Sequence, residues 1–442
     1  MKILFVSLGC DKNLVDSEVM LGLLREKQYE ITDDEQQADV VVINTCCFIH
    51  DAKEESINTI LEMTELKKTA KVKAIIVTGC LAERYKDEIR AEIPEVDAVL
   101  GTTSYEKICD AVEEALQGHI TEVYDDVNYL PLADTKRVNT TGGYFSYLKI
   151  AEGCDKRCTY CIIPKVRGDY RSVPMEKLIE EAKSLAEGGV EELILVAQET
   201  TMYGKDLYGE KCLPKLLRQL CQISGLRWIR ILYCYPEEIT DELISVIKEE
   251  PKICKYLDMP IQHGSDRILK RMGRRTNKQE IMDIVGKLRQ EIPEICLRTT
   301  LITGFPGETE EDHKELLEFV EQMRFDRLGV FTYSPEENTP AAEFENQLPE
   351  EIKEKRRNEI MERQQKIAFE AAEELLYQKI EVLIEGKLPE ENVFIGRTYR
   401  DAPNVDGYIF VNASHELMSG EIVTVQVTDA KEYDLIGEVV WE

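Results

Sequence analysis

The sequence is poor in several things, and each shortage closes off a class of function. Only 5 His and 2 Trp occur in 442 residues, which leaves little for a histidine-built metal or acid–base site. No apolar stretch approaches the ~20 residues that a membrane-spanning helix needs. The opening MKILFVSLGC has an apolar run of about six residues, stopped at once by Asp11 and Lys12, and reads as a first strand rather than an export signal. A cytoplasmic location with no membrane partner is expected. Basic residues are also scarce, at 55 Lys and Arg against 85 Asp and Glu for a net charge of −30. Such a surface repels a phosphate backbone unless its basic residues are concentrated locally, and it attracts a basic protein.

What is present in quantity is cysteine. Thirteen cysteines in a reducing compartment argue against a disulfide framework and towards metal binding or catalysis. A single free cysteine is usually a small core residue, so only spacing and placement single out particular ones.

Hydropathy patterning divides the chain into three parts, expected at residues 1–135, 136–376 and 377–442. In the first, apolar runs at Ile3–Leu8, Val40–Asn44, Ala74–Thr78 and Ala98–Leu100 alternate with helical periodicity at Leu14–Lys27, Lys53–Leu66, Ala82–Glu92 and Tyr105–Leu116. This predicts an α/β, flavodoxin-like, doubly wound parallel sheet. A Thr-, Asn- and Gly-rich linker from Asp125 to Gly143 follows. Six further β/α units, with strands from Tyr147–Ala151 to Arg327–Phe331, are too few to close an eight-fold barrel and predict a partial TIM-type (β/α)6 barrel. Its chemistry belongs on the loops after the strands. A charged helical stretch from Pro349 to Leu376 leads to short alternating runs between Ile380 and Val440, which predict a small antiparallel β-barrel.

Directly after the first barrel strand stands Gly153-Cys154-Asp-Lys-Arg-Cys158-Thr-Tyr160-Cys161. Three thiolates on one loop can wrap a face of a 4Fe–4S cluster and leave its fourth iron open. Zinc prefers paired CxxC ligands completed by another pair or by His, and no His lies near this loop. Cys10, Cys46 and Cys80 form a second set. Each closely follows an apolar strand (LFVSLGC, VVINTC, IIVTGC), so a parallel sheet carries all three to its carboxyl edge, where open α/β sheets place ligands. Cys47, Cys109, Cys212, Cys221, Cys234, Cys254 and Cys296 lack metal-like spacing and read as core.

CxxxCxxC with an aromatic before its last cysteine, opening a β/α series, resembles the radical S-adenosylmethionine superfamily. The resemblance implies that the open iron chelates S-adenosylmethionine and that reductive cleavage yields a 5′-deoxyadenosyl radical. It places Tyr160 near the adenine, Gln198 and Glu199 at the amino group, and Gln262, His263 and Gly264 near the ribose. Arg298 and the Gly304–Thr309 turn are further family-like positions. The turn is no P-loop, because the Gly-Lys-Ser/Thr ending is absent, and Thr309 can serve as a helix N-cap.

SLGCDKNLVDSE, NTCCFI and VTGC, joined to the three-cysteine loop and a terminal barrel, resemble the methylthiotransferase family over essentially the whole chain. That resemblance implies a second 4Fe–4S cluster on Cys10, Cys46 and Cys80, a TRAM-type terminal domain for substrate recognition, and one S-adenosylmethionine as methyl donor beside another as radical source. Its two branches act on tRNA adenosines or on an aspartate β-carbon in the twelfth protein of the small ribosomal subunit. A β-carbon hydrogen is hardly acidic, so hydrogen-atom abstraction suits it better than a general base.

Residues 377–442 carry 5 basic against 13 acidic side chains. That balance lacks the basic groove of a nucleic-acid-binding barrel and suits a basic protein. Asp11–Glu18 and Tyr333–Ala342 also resemble the protein-directed branch, with Asn338 where glycine is expected. The partners implied are that ribosomal protein, an electron donor such as flavodoxin or ferredoxin, and a sulfur donor, acting on a monomer. A tRNA enzyme, and a non-catalytic iron–sulfur or electron-transfer protein, are the alternatives. Reductive release of 5′-deoxyadenosine separates the latter from the enzymes.

Overall fold

The computed structural model describes residues 1–133, 135–389 and 391–440. Trp441 and Glu442, at the end of the expected third part, lie outside them. In the first region the order is β1 (Lys2–Ser7), α1 (Asp11–Glu26), β2 (Glu30–Thr32), β3 (Val40–Thr45), α2 (His50–Thr69), β4 (Ala74–Gly79), α3 (Cys80–Arg84), α4 (Glu88–Glu92), β5 (Ala98–Leu100), α5 (Ile108–Leu116) and β6 (Thr121–Val123). The sheet runs β2-β1-β3-β4-β5-β6, all parallel. Its central strands β3 and β4 are buried throughout, as a parallel sheet covered on both faces requires. One face packs on α1 and α5 through Met20, Leu24, Ile108 and Val112, and the other on Ile60, Met63, Leu81 and Ile89 of α2, α3 and α4. The single helix expected over Ala82–Glu92 is two short ones, broken at Tyr85–Asp87.

The second region continues with β7 (Phe145–Lys149), β8 (Ala151–Glu152), α6 (Ile163–Val166), β9 (Arg171–Ser172), α7 (Met175–Glu187), β10 (Glu192–Val196), α8 (Lys205–Tyr208), α9 (Leu213–Cys221), β11 (Trp228–Ile231), α10 (Asp241–Glu249), β12 (Ile253–Asp258), α11 (Asp266–Arg271), α12 (Lys278–Glu291), β13 (Cys296–Thr303), α13 (Glu310–Met323) and β14 (Arg327–Thr332). Strands β7, β10, β11, β12, β13 and β14 form one open parallel sheet in that order, a six-stranded partial barrel. Asn277 and Thr309 close capping boxes on α12 and α13, fixing where those helices begin. Asn338 has φ +64°, the left-handed turn that asparagine tolerates where glycine would serve.

A long helix α14 (Glu350–Glu373) packs along α13 and β14. It leads to β15 (Lys379–Lys387), β16 (Val393–Thr398), β17 (Ile409–Asn412), β18 (Ile422–Lys431) and β19 (Asp434–Val439). These close into a barrel, β15-β16-β17-β19-β18. Four of its pairings are antiparallel, as expected, and β17–β19 is parallel.

This small barrel docks against the starts of the partial barrel's strands. Glu192 accepts from Arg230 at 2.7 Å and from Arg397 at 2.6 Å, and all three side chains are fully buried. Asp406 accepts from Tyr256 Oη at 2.8 Å, and Arg400 pairs with Asp326 at 2.5 Å. The carboxyl ends of the strands, where the cysteine loop lies, are left for the N-terminal region to cover.

Candidate functional site

The cysteine loop leaves β8 through Gly153, whose φ is +78°. A Cβ there would collide with the Asp169 carbonyl, so the tight exit itself demands glycine. Backbone bonds fix the loop: Cys154 N–H donates to Gly168 O (3.1 Å), Thr159 N–H to Met272 O (2.9 Å) and Cys161 N–H to Cys158 O (3.1 Å). Cys154 and Cys158 are buried and Cys161 half-buried. Burial pushes the Cys154 thiol up to about 12, against a backbone N–H from Lys156 that favours the thiolate. Burial raises Cys161 likewise, with the neighbouring Cys158 adding to it and the Ile163 N–H opposing it.

Three crowded thiols, two of them buried and two met by backbone N–H donors, suit thiolates whose charge is cancelled by bound iron. Among the described residues, no three His, Cys, Asp or Glu side chains converge where one metal ion could sit. Ligands of a cubane differ in this respect, since each thiolate takes its own iron and the sulfurs stand around the cluster.

The second set assembles at the carboxyl edge of the N-terminal sheet. Cys10 caps the start of α1, Cys46 follows β3 and Cys80 opens α3. Gly9 (φ +89°) lies so close to Cys46 that an added Cβ would sit 2.6 Å from its Cβ and 2.9 Å from its sulfur, which seats the Cys10 loop on Cys46. Burial raises the Cys46 and Cys80 thiols, and each of the other two members of the set raises Cys80 further. Cys47 lies beside the set and also raises Cys80. It is fully buried, and its carbonyl accepts from Arg84 at 3.1 Å.

Arg167, just beyond α6, ties the two sets together. Its Nε donates to Cys80 Sγ (3.3 Å), its Nη1 to Asp16 (2.6 Å) and Glu152 (3.2 Å), and its Nη2 to Asn13 Oδ1 (2.9 Å). Lys149 also pairs with Asp16 and, at 2.7 Å, with Glu152. Two buried cations thus meet two buried carboxylates, the balance that keeps such a cluster from being ruinous. Glu152 immediately precedes the Gly153–Cys154 loop and accepts from Gln198 at 2.8 Å. Spacing gave no sign of this network, because its bonded partners are separated by up to 154 residues.

The remaining expected positions fall into two groups. Tyr160 belongs to the cysteine loop, Gln198 bonds Glu152 beside it and Glu199 lies near Cys154. Tyr160 is wedged edge-on to Phe305 at 6.5 Å, and Cys158 Sγ lies 3.9 Å from Tyr235 Oη. Gln262 takes φ +75° and bridges to Leu301. Glu199 Oε2 and Gln198 Oε1 are buried without a hydrogen-bond partner, and burial lifts the Glu199 carboxyl to about 7 despite its Thr201 and Lys156 neighbours. Unsatisfied buried acceptors are rare in folded proteins, and a cationic amino group would satisfy these. His263 is fully buried, 3.5 Å from Glu308. Arg298 is different: carboxylates of Asp258 (2.9 Å) and of Asp406 from the small barrel (3.4 Å) already hold it.

Comparison with known proteins identifies the family. Residues 2–101 match the uncharacterized protein family UPF0004, residues 148–320 the Radical SAM superfamily and residues 378–440 the TRAM domain. Among solved structures, the radical S-adenosylmethionine methyltransferase TsrM from Kitasatospora setae shares the fold, with a TM-score of 0.56 at 14% identity over 86% of this chain and 77% of that one. A protein of Lachnoclostridium phytofermentans named ribosomal protein uS12 methylthiotransferase RimO is 69% identical over 99% of both chains. One of the same name from Clostridioides difficile is 51% identical over 100% of this chain and 99% of its own. Another from Geobacter sulfurreducens is 49% identical over 99% and 98%. With identity of this order along the whole length, the chain belongs to the ribosomal protein uS12 methylthiotransferase RimO family.

Proposed function

We propose that this chain is a radical S-adenosylmethionine enzyme that inserts a methylthio group at the β-carbon of an aspartate in ribosomal protein uS12. Near-complete coverage at 69% identity by a uS12 methylthiotransferase carries the reading. Use of S-adenosylmethionine and an iron–sulfur cluster goes with the matched superfamily. The finer proposal is two 4Fe–4S clusters, one held by Cys154, Cys158 and Cys161 and one by Cys10, Cys46 and Cys80. The convergence of the second set at one sheet edge supports it.

When loaded, the two centres supply a primary carbon radical and a site for the sulfur to be inserted. The chain's own residues bind, orient and exclude water. Glu199 and Gln198 offer acceptors to the cofactor's amino group, and Tyr160 lies ready to flank its base. Arg167 fixes the wall between the centres. Phe305 packs on Tyr160 and is backed by the rings of Tyr333 and Phe344, which keeps that side dry and protects a radical from competing reactions. The proposal extends to an electron donor such as flavodoxin or ferredoxin, a separate sulfur donor, a monomeric state and a cytoplasmic site of action. No helix among the described residues is long and apolar enough to cross a membrane.

Mass spectrometry of uS12 and of tRNA from a strain lacking this gene tests the proposal. The expected result is uS12 lacking its methylthio mass while tRNA is unchanged. A deficit confined to tRNA would overturn the substrate.

A further inference from the structure

Lys12 lies two residues beyond Cys10, in the first turn of α1, and is almost wholly buried at 6% exposure. Burying an ammonium is expensive, so its surroundings should explain it. Its Nζ pairs with Asp11 Oδ1 at 3.2 Å and stands 3.3 Å from the centre of the Tyr233 ring. Among the described residues it makes no other ion pair. An ammonium has three donors, and one carboxylate oxygen with one ring face does not use them all.

The location is specific. Tyr233 belongs to the partial barrel, just after β11, and is held at φ +60°. Its N–H donates to Asp258 (3.1 Å), its carbonyl accepts from Thr200 N–H (3.1 Å) and its hydroxyl reaches Asp11 (3.3 Å). Thr200 directly follows Gln198 and Glu199. Lys12 therefore stands at the seam between the Cys10 side of the molecule and the loop expected to hold S-adenosylmethionine. Two further features suit a peptide segment that brings both an anion and an N–H donor. No side chain caps the 16-residue helix α1, so its first-turn N–H groups and positive end face this position. Asp11 Oδ2 is buried with no donor, ready for an N–H of an incoming chain.

We infer that Lys12, with the start of α1, binds the side-chain carboxylate of the aspartate to be modified, and so presents its β-carbon between the two cysteine sets. The inference rests on the uS12 reading above and deepens it. A carboxylate on Lys12 puts the adjacent carbon one bond away, beside Cys10. Adenine has no anion to offer here, so the same ammonium would discriminate against a nucleobase. Asp11 completes the recognition by accepting a hydrogen bond from the bound segment.

The test uses the full chain reconstituted anaerobically with iron and sulfide, as wild type, Lys12→Met and Lys12→Arg. Binding of purified uS12, and of uS12 with its target aspartate changed to asparagine, is read by fluorescence anisotropy, and methylthio product by mass. Wild type should prefer the aspartate form about tenfold, the value of one charge-assisted contact. Lys12→Met should lose that preference while keeping wild-type iron and sulfide contents, and Lys12→Arg should keep the preference with an altered KM. Should Lys12→Met fail to fold, the wild-type and Lys12→Arg arms still decide, because equal binding of both uS12 forms by either would overturn the inference. Undiminished discrimination by Lys12→Met would overturn Lys12 alone, provided wild type makes product. Absence of product from wild type would overturn the uS12 reading and the Lys12 assignment with it.

Discussion

Glu192 offers the sharpest test of how the chain is held together. Its carboxylate is shared by Arg230 and Arg397, 2.7 and 2.6 Å away, with no solvent at any of the three. Burial alone would raise this carboxyl, and the two guanidiniums overcome that and hold it below the ordinary glutamate value. Glu192→Gln leaves both cations but removes their common charge. Arg397 keeps Glu385 at 2.6 Å. Arg230 keeps only the Tyr399 carbonyl at 2.7 Å and the Tyr256 ring, and one of its nitrogens already lacks a partner.

An uncompensated buried charge of this kind costs ~3–5 kcal/mol, a large part of a domain's ~5–15 kcal/mol. With an m-value of ~3 kcal/mol/M, the urea midpoint should fall by about 1 M or more. Since Arg397 comes from the small barrel, early proteolytic cleavage should appear between α14 and β15. The triple variant Glu192→Leu, Arg230→Met and Arg397→Met should regain most of the loss, because apolar replacement of a whole buried ion set is often neutral. A single-variant loss below ~1 kcal/mol, with no new cleavage, would refute the reasoning.

Further outcomes are expected at the candidate site. Changing Cys154, Cys158 or Cys161 to Ala should abolish 5′-deoxyadenosine release, whereas changing Cys10, Cys46 or Cys80 should spare it and stop sulfur insertion. Intact thiolation in the second set would remove those ligands from consideration. Glu199, folded at about 7, keeps its proton where the unfolded chain has lost it. Its contribution therefore weakens as pH rises from ~4.5 to ~7, by up to ~1.4 kcal/mol per pH unit, and is level above that. Glu199→Gln should flatten that part of the stability–pH curve while weakening S-adenosylmethionine binding, measured by calorimetry; an unchanged slope would count against the assignment. Arg167→Gln should shift the electron paramagnetic resonance of the second centre and destabilise the fold by ~3–5 kcal/mol, since Asp16 and Glu152 lose a buried cation. An unaltered spectrum would show that the Cys80 contact is incidental.

The sequence by itself determined the two alternating β/α series and the small barrel, and with them the placement of Cys154, Cys158 and Cys161 on one loop and of Cys10, Cys46 and Cys80 at one sheet edge. The reason is that strands buried on both faces must be continuously apolar, so the loops that follow them can be located along the chain. Where that pressure is absent the sequence was silent. Strands β2 and β6 sit at sheet edges, are three residues long and contain no buried residue, and so carry no hydrophobic signature. Tertiary structure alone decided that Arg167 joins Cys80 to Glu152, that Glu192 clasps Arg397 across 205 residues, and that Lys12 meets Tyr233. Electrostatic partners buried between domains are chosen by where whole elements dock, and nothing in the spacing of a charged residue along the chain records the opposite charge that docking will bring to it.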